Sequence, residues 1–108
     1  MTGTWGQESI RQSIRPDLPG ADLVTKGIDD LQRGELTVEA LLVAVGAPRL
    51  RSVGLEIPAI PALSESPELA LYAAVCASEA DDAHSRYNAL IRRLVSFERA
   101  MEALYPVP

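Results

Sequence analysis

From residue 21 onward, apolar positions recur at helical spacing. Leu23, Val24, Gly27, Ile28 and Leu31 fall on one side of a helix over about 21–33, with Asp22 near its start and Gly34 as a natural C-terminal cap. Gly27 lies on the apolar side, where the missing side chain lets another helix come close. The next run, VEALLVAV at 38–45, is apolar nearly all round apart from Glu39. That pattern predicts a central, buried helix, with Thr37 as its N-cap and Gly46 as its end. APRLRSVG at 47–54 then reads as a short third helix, with Pro48 in its first turn and Gly54 past its end.

The C-terminal part carries the longest pattern. Ser66 caps, Pro67 takes the first helical position and Glu68 sits in the first turn, where the helix dipole favours an acid. One stripe follows in steps of three and four: Leu69, Tyr72, Cys76, Ala80, Ala83, Tyr87, Leu90, Leu94, Phe97, Met101 and Leu104. From Tyr87 on, it keeps the alternating step of a coiled-coil seam, and Ile91 and Val95 widen it. A single helix here would far exceed ordinary helix lengths. The reading is therefore two helices, about 67–80 and 82–104, joined near Asp81 and Asp82.

Between and before these elements the pattern fails. Pro58, Pro61 and Pro67 space an extended connector over 55–66, tacked down by Leu55, Ile57, Ile60 and Leu63. Residues 1–20 are polar and broken by Pro16, Pro19 and Gly20, which predicts an extended, partly ordered arm with Trp5 as its one large apolar group. The fold class expected is all-α. It is a small bundle of four to five helices over 21–108, with a long C-terminal helix or helical hairpin.

Composition adds a constraint on core size. A chain of 108 residues with only five aromatic side chains builds a thin core of Leu, Val and Ala, and association would add burial. The net charge is −5, which speaks against a general nucleic-acid or anionic-membrane binder. Nine of the ten basic residues are Arg, a bias that Arg-rich codon usage explains as well as function does. Cys76 is alone, so no intrachain disulfide and no Cys-based zinc site is expected. With no apolar leader or spanning stretch, the expected location is the cytoplasm.

Charge is unevenly distributed. Glu56, Glu65, Glu68, Glu79, Asp81 and Asp82 follow one another with no Lys or Arg among them, and Arg86, Arg92, Arg93 and Arg99 come next with one acid, Glu98. A hairpin would lay the acidic helix beside the basic one.

Candidate chemistry concentrates where the charge flips. Asp81 and His84 share a helix face, as do Glu79 and Asp82, so these four are the candidate metal ligands. Capping of a helix that starts nearby explains the same residues. Glu65 and Glu68, then Glu79 and Asp82, also form ExxE and ExxD pairs that resemble the magnesium-holding carboxylates of the all-α nucleotide pyrophosphohydrolases. Pro67 interrupts the first pair, and no Lys or Asn cluster stands by to bind phosphates, which puts that activity in doubt for this chain. His84 is about two helical turns from Cys76, too far along one helix to activate it. Residues 35–54 have the outline of a helix-turn-helix, but the second helix would be short and would carry only Arg49 and Arg51 as basic side chains.

The leading expectation is a non-enzymatic protein–protein interaction module with no cofactor. It would be a homodimer through the C-terminal helix, or a small partner of another protein. Tyr87, Leu90, Leu94, Phe97 and Met101, flanked by Arg86 and Arg93, are the expected interface. The same face would serve equally as an intrachain core.

Overall fold

The computed structural model describes residues 14–104, and among them the regular structure is helical, with no strand. Four helices form among the described residues: α1 (Ala21–Gln32), α2 (Val38–Ser52), α3 (Pro67–Ser78) and α4 (Ala83–Leu104). A single 3-10 turn, Ala80–Asp82, separates α3 from α4. The long C-terminal pattern is thus a hairpin. Trp5 and most of the expected arm lie outside the described residues. The last part of that segment is turn, and Ile14 is buried in the core.

Helix ends follow the local chemistry. The Thr37 hydroxyl accepts from the Ala40 N–H at 3.2 Å, and the Ser66 hydroxyl from the Leu69 N–H at 3.3 Å. Both α1 and α2 end in a Schellman motif on a left-handed glycine. After α1, Glu35 N–H donates to Asp30 C=O and Gly34 N–H to Leu31 C=O. After α2, Leu55 donates to Leu50 and Gly54 to Arg51.

Helix α2 is central and packs against the other three. Leu41, Leu42, Val43 and Ala44 are all buried, as an all-round apolar run requires. Gly27 is the close-approach point expected of it: a Cβ there would run into the Glu39 carbonyl and the Val43 side chain. Gly20 does the same for α4, since a Cβ would stand 2.6 Å from the Arg93 carbonyl oxygen.

One boundary is corrected. Gly46 does not end a helix, and no separate short helix starts at Pro48; Val38–Ser52 is continuous. The reason is burial. Val43, Ala47 and Leu50 form one face that stays in the core through the supposed break. Gly46 is used for proximity, because a Cβ there would meet Glu98 at 2.8 Å and Leu94 at 3.0 Å. Pro48 lies on the exposed side of the helix. The turn that a helix-turn-helix needs at this point is not formed.

Candidate interaction surface

The C-terminal stripe does not keep one direction. In α4, Leu90, Leu94, Phe97 and Met101 are all buried within the chain. The face expected to meet a partner is therefore covered by the molecule itself, with Tyr87 half-buried beside it. In α3 the same stripe points outward. Leu69 is 59% exposed and Tyr72 38%, while Leu71 and Val75 are the buried residues. The change of direction follows from the break. Glu79, at φ −145° and ψ 71°, leaves helical geometry, and the 3-10 turn resets the rotation before Ala83, which is buried again.

The outer side of α3 is continuous. Leu69, Tyr72, Ala73, Cys76 and Ala77 recur at i, i+3, i+4, i+7 and i+8, which is one face of a helix. Leu69, Tyr72, Ala73 and Ala77 are exposed and Cys76 is half-buried. The Tyr72 ring meets the Tyr87 ring edge-on, with centroids 5.4 Å apart and planes at 77°. Cys76, one turn on from Tyr72, raises the Tyr72 hydroxyl above its ordinary pKa.

Charged groups frame this face. Glu65 and Glu68 stand at its start, and Glu79, Asp81 and Asp82 at its end; all are exposed. Glu79 reaches Arg86 at 3.7 Å. The other four make no ion pair among the described residues. Arg93 turns away to Asp22 of α1, at 2.8 Å.

The candidate metal ligands do not converge. His84 contacts the Asn88 amide at 3.2 Å, Glu79 is spent on Arg86, and Asp81 and Asp82 are exposed on the 3-10 turn. Among the described residues, no three His, Cys, Asp or Glu side chains come together as a metal-binding group. Arg49 forks onto Glu102 at 2.7 and 2.8 Å, and Arg51 donates to the carbonyls of Ile57 and Pro58, pinning the connector.

Two buried carboxylates escaped the reading of the sequence. Asp30 is fully buried and accepts from Lys26 at 2.7 Å, from the Thr37 hydroxyl and from Arg33. These bonds, Lys26 and Thr37 first, hold its carboxyl below the ordinary range. Its signal was its place on the α1 apolar side, three residues after Gly27, with cations at i−4 and i+3. Glu98 is 4% exposed and packs over Gly46, with Arg49 at 3.7 Å. Burial pushes its carboxyl up, and the nearby Arg49 only partly opposes this. An open hollow of about 470 Å³ lies beside α1, but Lys26 and Arg33 on its wall are already tied to Asp30.

Fold and surface define a small all-α bundle with one apolar helix half outside its own core. No helix among the described residues is long and apolar enough to cross a membrane. Among known proteins, no family model, no curated protein and no solved structure matches the chain.

Proposed function

We propose that the chain is a non-enzymatic protein–protein interaction module, a small partner subunit or adaptor, that docks a helix of another protein on the outer face of α3. One observation carries the reading. α3 is apolar nearly all round, as a fully buried helix would be, yet it buries only Leu71 and Val75. Exposed Leu and Tyr in a line at helical spacing are the ordinary anchors of helix-to-helix recognition. The face expected beforehand, on α4, is occupied by the chain's own core, so association falls to α3. The cytoplasm is the proposed location, since the one cysteine is a free thiol on this face.

Substitution of Leu69 and Tyr72 tests whether the face is open. Leu69→Glu should leave the unfolding of the isolated chain nearly unchanged, within roughly 0.5 kcal/mol, as for surface positions, and Tyr72→Glu should cost about 0.5–1.5 kcal/mol, the loss of the Tyr87 ring contact alone. A core-like loss of about 2–5 kcal/mol would show that the chain covers this face itself, and the proposal would fall.

A further inference from the structure

We infer that the partner is an amphipathic helix carrying Lys or Arg at both ends of a short apolar stretch. This rests on the docking face proposed above and adds the chemistry of what binds there. α3 has twelve residues, so its face is about 18 Å long and matches three turns of a second helix. Along that length the fit is apolar and close. Leu69 and Tyr72 offer bulk at one end, with Tyr72 held in place by the Tyr87 ring. Ala73 and Ala77 offer no bulk over the second half, so a partner backbone can approach there to about 8 Å between axes.

Charge then selects the partner. Glu65 and Glu68 lie before the first turn and within it; Asp81 and Asp82 lie beyond the last. None of the four has a counter-ion among the described residues, and no Lys or Arg occurs between Ser52 and Ser85. A helix with basic ends meets an opposite charge at both ends of α3, whichever way it runs. Rim charges of this kind set association rate and partner choice more than total affinity.

A second copy fits poorly. Two α3 helices face to face bring acid against acid, in parallel or antiparallel order. The α4 of a second copy does expose Arg92 and Arg99, but its apolar side is buried in its own core.

The test uses the full chain and two synthetic helical peptides of about fifteen residues. They share one Leu-rich face and differ only in having Lys or Glu at both ends. Fluorescence anisotropy is read at low and high salt. The Lys peptide should bind, and more weakly at high salt. Leu69→Glu should weaken it roughly tenfold or more, as for an anchor residue. The combined reversal E65K/E68K/D81K/D82K should switch preference to the Glu peptide. Equal binding of both peptides, binding unchanged by the reversal, or no binding of either would overturn the inference while leaving an open α3 face. Light scattering that shows a stable dimer dissolved by Leu69→Glu would name a second copy as the occupant and overturn it too. Loss of stability in Leu69→Glu would instead remove the docking face, and the inference with it.

Discussion

Asp30 is closed off from water but accepts hydrogen bonds from Lys26, Thr37 and Arg33, which fasten the end of α1 to the start of α2. A buried carboxylate with that many donors is stabilised as the anion. Its carboxyl titrates below the ordinary value of about 3.9, so its contribution is complete above that pH and is lost as pH falls through the lower folded value. Asp30→Ala should cost about 1–3 kcal/mol at neutral pH, because Thr37 and the two cations lose a shared acceptor. Urea unfolding at pH 7 and pH 3 checks this: the gap between parent and variant must narrow in acid, and an equal gap would refute the account. Glu98 behaves in the opposite sense. Burial raises its carboxyl above the ordinary value near 4.3, so its ionisation opposes folding. Stability from the protonated form is present below that value and is lost as pH rises toward the folded one. Glu98→Gln keeps the shape over Gly46 and removes the charge, while Arg49 keeps Glu102. The variant should match or exceed the parent at pH 7 by up to about 1 kcal/mol, with the advantage shrinking toward pH 4. A variant clearly weaker at pH 7 would mean that the Arg49 interaction outweighs the burial.

At the scale of elements, the sharpest test concerns α2. A proline eleven residues into a continuous helix denies the Ala44 carbonyl its donor, a substantial local cost. Pro48 is exposed, so replacing it leaves no hole. Pro48→Ala should therefore raise stability by about 1–3 kcal/mol in thermal or urea unfolding. If a new helix began at Pro48, the same change would be neutral or harmful, since proline suits a first turn. The same contrast explains what was legible in the sequence. The ends at Thr37, Ser66, Gly34 and Gly54 were readable because caps act locally, within a few residues. The packing glycine, Gly27, was readable from its place on an apolar side. The continuity through Gly46 and Pro48 was not, because it is decided by α4 pressing on Gly46 from some fifty residues away in sequence. The direction of α3 was not readable either. Periodicity finds the buried side of a helix only when the other side is polar, and α3 has apolar residues on both. Leu71 and Val75 won the core, and Leu69 and Tyr72 were left outside. That unresolved choice is what kept the exposed side of α3 out of view.

The four helices are not held with equal strength. α2 contributes a run of buried residues from Ala40 to Leu50 and touches every other helix. α4 adds four large buried side chains and is tied by Arg93 to Asp22 on α1 and by Glu102 to Arg49 on α2. Those two ion pairs are exposed and worth roughly 0–1 kcal/mol each, so packing and not charge holds α4. α3 has only Leu71 and Val75 fully buried, with Ala70, Ala74 and Cys76 packed partly against the core, and no side-chain ion pair links its own residues to another helix. Few fully buried side chains and an outer side open to water mean a low free energy of local opening. Native-state hydrogen exchange should accordingly find the α3 amides opening before the rest. They should exchange at least about tenfold faster than the best-protected amides of α2, which corresponds to about 1.4 kcal/mol. A partner helix laid on Leu69 and Tyr72 would add to the apolar burial of α3 and should bring its protection up toward that of α2. Equal protection in the free chain would contradict both halves of this reasoning, because a helix open on one side cannot be held as firmly as the one at the centre.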